Sequence, residues 1–303
     1  MQKTQLSSLT EYLEQQGIAY SCNVSMRTYT TFQIGGPCDC IIQPTRVEEI
    51  VSVLQWCKTA DIPVHTVGKG SNLLVSDGGV DGVILHLGSR FSQIRLLDET
   101  TLLCEAGAPL AKVCWFAYQH GLTGLEFAWG IPGTVGGAAY MNAGAYNGEM
   151  KDVLVSCRHV CADGQIGEYV GEALDLSYRH SVYSDSDMCI TEVCIKLQKG
   201  DRAAIRERMD DLMHRRTSKQ PLEYPSAGST FKRPAGNYAS ALIEQCGLKG
   251  VSVGGAMVSP KHSGFIINTG NASCEDVLAL IHLVQRTVYE QTGFRLEPEV
   301  KRL

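Results

Sequence analysis

An α+β fold in two domains follows from three features of this 303-residue sequence. Amphipathic helical patterns and β-rich runs succeed one another without a regular βαβ alternation. Glycine-containing turns cut the middle of the chain into short strands, and after Lys199-Gly200-Asp201 the character shifts to a charged helix. The length suits about two domains of ~150 residues each. With 44% hydrophobic residues, and 27 Lys plus Arg against 32 Asp plus Glu, the chain is globular, which excludes disordered and fibrous classes.

The elements read in order as follows. Leu6, Leu9 and Leu13 between polar residues make a short amphipathic helix, unlike a cleavable apolar signal. Val47, Ile50, Val51 and Leu54 at i, i+3, i+4, i+7, with Glu48 and Glu49 in the first turn, predict a helix over 45–60 that ends before Asp61-Ile62-Pro63. A strand is expected at 64–67, then β runs at 80–87 and at 94–97 against 101–105, then a helix over 110–120 stopped by Gly121. Residues 153–161 and 166–170 around Asp163-Gly164 read as a hairpin, with a further strand at 190–197. The charged helix 202–216 marks the domain boundary. Beyond it lie a glycine-rich stretch at 225–237, a short helix at 238–246 and an apolar strand at 264–268. A long helix then opens on the capping-box pattern Ser273-Cys274-Glu275-Asp276, buries Val277, Leu280, Ile281, Val284 and Val288, and stops at Gly293.

A net charge of -5 gives no basic field, so neither nucleic acid nor an anionic membrane surface is an expected partner. No apolar run reaches membrane-spanning length, so no membrane insertion and a cytoplasmic location are expected. The twelve cysteines contain no CxxC pair and fall in apolar segments, which favours free, mostly buried thiols. The eight histidines match no zinc spacing, and no metal is expected.

Three segments have a composition suited to chemistry. Gly68-Lys69-Gly70-Ser71-Asn72 follows a predicted strand; its glycines let backbone N–H groups approach an oxyanion, and Ser71 and Asn72 add donors. It is neither a Walker loop nor GxGxxG, and a plain strand-ending turn is the competing reading. In Gly130-Ile131-Pro132-Gly133-Thr134-Val135-Gly136-Gly137-Ala138-Ala139, a helix starting near Thr134 would aim its N–H groups at a diphosphate; close helix-to-sheet packing would also want such small residues. Pro225-Ser226-Ala227-Gly228-Ser229-Thr230-Phe231-Lys232 would expose a hydroxyl on a tight turn, though Ser229 lacks the GxSxG elbow of a hydrolase and an ordinary turn serine also fits. Arg179 and Glu299, taken singly, read as surface charges.

Taken together, the stretch MRTYTTFQIGGP from Met26, Gly68 to Asn72, GIPGTVGGAAYMNAGAY from Gly130, Tyr178-Arg179, AGSTFKRP from Ala227 and GGAMVSPKHSGFIIN from Gly254 resemble the UDP-N-acetylenolpyruvoylglucosamine reductase family of peptidoglycan precursor synthesis, over nearly the whole chain. The resemblance is to the type lacking a tyrosine-bearing loop insertion. Two departures stand out: Trp129, where the family usually has a small residue, and Asn147, where it often has glycine.

The resemblance implies an FAD-binding region of the vanillyl-alcohol-oxidase (PCMH) type over 1–200, made of two α+β subdomains of about 1–77 and 78–200. A C-terminal α+β substrate-binding domain would follow over 201–303. It implies FAD, held by Gly68, Lys69, Gly70, Ser71, Asn72, Pro132, Gly133, Thr134, Gly136 and Gly137; Lys69 within the loop and the lack of a histidine just after it favour non-covalent FAD, with tethering to His65 as the open alternative. Hydride would pass from NADPH through FAD to the enolpyruvyl group of UDP-N-acetylenolpyruvoylglucosamine. The catalytic residues implied are Ser229 as proton donor to C2, Arg179 as the permanent charge at the carboxylate, and Glu299, which helps only while it carries its proton. Lys232 is an expected diphosphate or carboxylate contact, against the alternative of a solvated surface lysine. A flavin oxidase of alcohols or lactones on the same scaffold would differ by rapid reaction with oxygen, and a catalytically silent UDP-sugar-binding protein by taking up no FAD.

Overall fold

The computed structural model describes residues 1–303, and the chain resolves into two compact units. The first comprises Met1–Cys22, Asp39–Lys69 and Asp81–Arg215, and the second Asn23–Cys38, Gly70–Val80 and Arg216–Leu303. The expected division at 200 therefore differs from the observed grouping: the units part at 215/216, inside the charged helix, and two N-terminal stretches belong with the C-terminal unit.

The first unit holds α1 (Lys3–Gln16), α2 (Val47–Thr59), α3 (Leu110–Gln119), α4 (Val135–Tyr140) and most of α5 (Arg202–Lys219). The 45–60 pattern yields α2, whose start is fixed by the nearly buried Glu49: its carboxylate accepts the Thr45 N–H at 2.7 Å and pairs with Arg46 at 3.0 Å. A four-stranded sheet has the order Ala19–Ser25, Pro37–Gln43, Val80–His86, Val64–Val67, the last two parallel with Val64 opposite Val83. This moves the expected 77/78 subdomain boundary, because strand Val80–His86 completes the first sheet instead of opening the second.

The second sheet runs Ile166–Val170, Leu154–Val160, Cys189–Lys196, Thr101–Glu105, Ile94–Leu96, antiparallel throughout. Both expected hairpins are present. Gly164 (φ +85°) turns one, and Asp98 closes the other by accepting the N–H groups of Thr100 and Thr101 at 2.8 Å. One continuous core runs from Leu9, Ile50, Val53 and Val83 through Leu102, Cys104, Val113 and Val135 to Cys157 and Val193.

In the second unit, α6 (Ala239–Gln245) and α7 (Cys274–Thr292) accompany an antiparallel sheet ordered Ser226–Ser229, Phe265–Asn268, Ala256–Val258, Ser252–Val253. The five apolar positions expected in the long helix are all buried, the capping box forms, and Gly293 (φ +75°) ends it. Phe32, Ile34 and Leu74 pack in the same core as Leu242, Ile243, Ile266 and the α7 face. Hydrogen bonds fix these imported stretches. Asn268 Nδ2 donates to the Phe32 carbonyl at 3.1 Å, the Asp77 carboxylate accepts the N–H groups of Cys274 and Glu275 at 2.8 and 3.1 Å, and Lys301–Arg302 pairs in parallel with Leu73–Leu74.

All twelve cysteines are free thiols, eight of them buried and Cys22 exposed. Burial pushes the Cys57 and Cys104 thiols up to about 12. Being raised above the unfolded value of about 9, these groups leave stability intact below pH ~9 and withdraw it as pH climbs toward 12. With a thiol-reactive chromogen at pH 8, Cys22 is expected to react first and the buried eight only on addition of denaturant; rapid reaction of Cys57 or Cys104 in the native protein would contradict this.

Candidate active site

Gly68 ends strand Val64–Val67 where the second glycine-rich segment arrives. A Cβ on Gly68 would lie 2.4 Å from Thr134 Oγ1 and 3.1 Å from its Cγ2, so two segments far apart in sequence are in van der Waals contact only because this residue has no side chain. Beside them His86, half-buried, touches the Gly68 backbone; burial holds its imidazole below the ordinary value and the Gly68 contact opposes that. Nothing in the β-rich pattern of 80–87 marks His86 as part of this corner.

The expected α4 forms with Thr134 as N-cap, but its N–H groups do not point at open space. Val135 N–H donates to the Ala108 carbonyl at 2.8 Å, Gly136 N–H to the Ala106 carbonyl at 2.9 Å, and Gly137 N–H to Thr134 Oγ1 at 3.3 Å. This corrects the expectation of helix donors at a diphosphate: the turn after strand Thr101–Glu105 supplies the acceptors first. Gly136 is a packing glycine, since its Cβ would sit 2.6 Å from Ala106 Cβ. Gly137 is exposed, with only Thr134 Oγ1 near a Cβ position, at 3.6 Å, and Pro132 is exposed as well. Gly133 takes φ +156°, and its carbonyl accepts the Leu110 N–H at 3.0 Å. Side chains are thus missing at Gly68 and Gly137, and Lys69 adds an exposed cation beside Gly68. Missing side chains beside an exposed cation fit a flat, anionic cofactor such as FAD.

In the second unit Gly70 (φ +61°) packs against the Tyr29 carbonyl, 2.1 Å from where a Cβ would be, and its own carbonyl accepts the Thr31 N–H at 3.4 Å. Ser71 follows, half-buried. Asn72 has a role the sequence did not suggest: its Nδ2 donates to the Glu299 carbonyl at 3.1 Å while its own carbonyl accepts the Lys301 N–H at 2.9 Å. From the other side, the Glu299 N–H donates to the Thr230 carbonyl at 2.7 Å, and the Lys232 N–H to the Glu297 carbonyl at 2.9 Å.

Ser229 is therefore one residue from a backbone rung that holds Glu299. Ser229 itself stands opposite Phe265 just after a register shift, with Gly228 at φ +75°. An extra residue at that point re-aims the side chains that follow. Lys232 Nζ is 3.5 Å from the Glu297 carboxylate, a pair in which Glu297 is exposed.

Arg179, in the first unit, is the third residue of a tight turn in which the Ser177 N–H donates to the His180 carbonyl at 3.2 Å and the His180 N–H returns to the Ser177 carbonyl at 3.1 Å. It adopts φ +57°, and its guanidinium lies 5.0 Å from the Tyr178 ring centre. Asn147 has φ +67°, a conformation that asparagine tolerates better than most residues. Trp129 is accommodated by Trp115, ring centres 6.0 Å apart. His65 lies on strand Val64–Val67, its imidazole lowered by burial against the opposing pull of Asp187. No group of three or more His, Cys, Asp and Glu side chains is gathered for a metal, and no helix is long and apolar enough to cross a membrane.

Comparison with known proteins identifies the family. Residues 37–168 match the model of an FAD binding domain, and residues 220–303 that of the UDP-N-acetylenolpyruvoylglucosamine reductase C-terminal domain. The UDP-N-acetylenolpyruvoylglucosamine reductase of Syntrophomonas wolfei subsp. wolfei is 46% identical over 279 residues, 92% of this chain and 93% of that one. The protein of the same name from Clostridium novyi is 48% identical over 279 residues, 92% and 90% of the two chains. The crystal structure of UDP-N-acetylenolpyruvylglucosamine reductase from Thermus caldophilus superposes with a TM-score of 0.79 at 35% identity, covering 94% of this chain and 98% of that one. The fold is α+β, an FAD binding domain with a C-terminal reductase domain, and the chain belongs to the UDP-N-acetylenolpyruvoylglucosamine reductase family.

Proposed function

We propose that this protein reduces the enolpyruvyl ether of UDP-N-acetylenolpyruvoylglucosamine to UDP-N-acetylmuramate, with NADPH as reductant and non-covalent FAD as relay. The reaction would belong to the cytoplasmic stage of peptidoglycan precursor synthesis, and through it to cell-wall biogenesis, cell shape, division and the cell cycle. The observation that carries the reading is the rung from Glu299 N–H to the Thr230 carbonyl, which fixes a carboxyl and the Ser229 hydroxyl on one framework.

A bound FAD would supply the hydride relay between NADPH and C3 of the enol ether. Gly68, Gly137 and Pro132 offer it open backbone, and Lys69 a charge. Gly70, Ser71, Asn72, Gly133, Thr134 and Gly136 shape the surrounding loops. Electron density left at C2 spreads into the adjacent carboxylate, where the forked N–H donors of Arg179 bear on it. Glu299, carrying its proton, donates a hydrogen bond to the same developing charge. Ser229 Oγ–H gives its proton to C2, a transfer that is favourable because a carbanion-like carbon is a far stronger base than the alkoxide left behind. Lys232 turns from Glu297 to a diphosphate or carboxylate oxygen of the substrate.

An absorbance spectrum of the purified protein tests this directly. A yellow protein is expected to be bleached by NADPH and recoloured by the enolpyruvyl UDP-sugar under anaerobic conditions. A colourless protein that takes up no FAD, or one recoloured by oxygen and not by the sugar, would refute it.

A further inference from the structure

Arg179 occupies a backbone conformation that its own side chain disfavours. The third position of such a turn, at positive φ, is ordinarily glycine or asparagine, and a bulky residue there costs about 1–3 kcal/mol. Something outside the turn must hold it. The Ser177 carbonyl, which closes the turn with the His180 N–H, also accepts from Asn142 Nδ2 at 2.9 Å. Asn142 is fully buried and itself left-handed at φ +40°. Its Nδ2 donates a second time, to Glu149 Oε2 at 2.9 Å, and its Oδ1 accepts the Lys151 N–H at 2.9 Å. With two acceptors facing Nδ2 and a backbone donor facing Oδ1, the amide has one orientation and no spare polar atom.

The neighbouring contacts support the same grip. Ser181 Oγ donates to the Tyr140 carbonyl at 2.7 Å and Tyr140 OH to the Ser184 carbonyl at 3.1 Å, so the end of α4 is laced to the segment that carries Arg179.

We infer that Asn142 is a positioning residue for Arg179, fixing the Ser177–His180 turn so that the guanidinium meets the substrate carboxylate in one geometry. The inference rests on the reading of Arg179 given above. It adds that the energy holding the strained turn comes from an interior amide and not from the exposed loop itself.

A double-mutant cycle on the FAD-loaded protein tests it. Asn142→Asp keeps the shape, the left-handed tolerance and the bond from the Lys151 N–H, but replaces the donor at Ser177 and Glu149 by a carboxylate oxygen. Recolouring of the bleached flavin by the enolpyruvyl UDP-sugar is expected to slow by about 10- to 10²-fold, the scale of a small misplacement of a catalytic group. Bleaching by NADPH should be unchanged. In an Arg179→Ala background the same change should cost less than about twofold.

Two readouts do not depend on turnover. Titrating the oxidised protein with the UDP-sugar, followed by the flavin spectrum, should show the same non-additivity in Kd. Amide exchange should quicken at His180 while Lys151 stays protected. Lowering the pH should partly restore recolouring in Asn142→Asp, because the introduced carboxyl regains a proton to donate. Should the carboxylate prevent folding, Asn142→Gly, which suits φ +40° and buries no charge but also removes the Lys151 N–H acceptor, gives a second cycle with the same expected non-additivity on recolouring. If Arg179→Ala alone recolours at the native rate, the reading of Arg179 fails and this inference with it. If Arg179→Ala is slow but the Asn142 variants are native-like, or multiply its loss in full, the positioning role alone is overturned.

Discussion

Replacing Ser229 by alanine is expected to leave NADPH bleaching intact and to slow recolouring by the enolpyruvyl UDP-sugar by about 10²-fold or more, the range in which a positioned general acid acts. The two half-reactions separate cleanly because only the second requires a proton at C2. The geometry also makes this a clean substitution. Ser229 is half-buried, and the rung beside it is built from backbone atoms of Thr230 and Glu299, which alanine leaves in place. The thermal midpoint should therefore stay close to that of the parent, which distinguishes loss of the acid from loss of the sheet. Stopped-flow traces with equal recolouring rates for the two proteins would remove Ser229 from the mechanism.

The second large effect is expected at Gly68. In Gly68→Ala the new methyl would lie 2.4 Å from Thr134 Oγ1, well inside contact distance, and the Thr134 side chain is not free to swing away because it caps α4. Either the cap breaks, at about 1 kcal/mol, or the strand end moves away from the helix, and both disturb the surface assigned to the flavin. FAD affinity of stripped and reloaded protein is expected to fall by at least tenfold, read as flavin retained on gel filtration.

The partner variant makes the cause explicit. Thr134→Ala removes the clashing atoms and leaves Cβ as the nearest, at 3.3 Å, so the double substitution should bind FAD better than Gly68→Ala alone despite the lost cap. Native affinity in Gly68→Ala, or no recovery in the pair, would show that this contact does not shape the cofactor site.

Local pattern carried much of the fold. The α7 stripe Val277, Leu280, Ile281, Val284, Val288 and its Ser273 cap are set by a 3.6-residue period and by donors three residues away, so a short window of sequence contains the whole cause. The Asp163-Gly164 hairpin was legible for the same reason. What escaped depends on partners far away in the chain. Phe32, Ile34 and Leu74 look like ordinary apolar residues of the first domain, yet they complete the core under α7, and only their pairing with Asn268 and Arg302 reveals it.

The site divides similarly. Composition identified the glycine-rich segments but not what fills the vacated space: at Gly136 it is Ala106, while one residue later Gly137 is open. Motif resemblance singled out Ser229 and Glu299 and could not show that Asn72, chosen for an anion, supports the Glu299 carbonyl. Asn142 gave no signal beyond membership of a small-residue stretch, because burial and left-handed backbone are properties of the folded chain.

The assignment of Asn23–Cys38 and Gly70–Val80 to the C-terminal unit has a consequence for biosynthesis. On the ribosome, Phe32 and Leu74 emerge long before α7 exists, and at ~5–20 residues per second their counterparts follow only after tens of seconds. Those nascent apolar stretches wait without their core partners, and a gene fragment starting at codon 216 would translate a polypeptide whose hydrophobic seat for them is left bare.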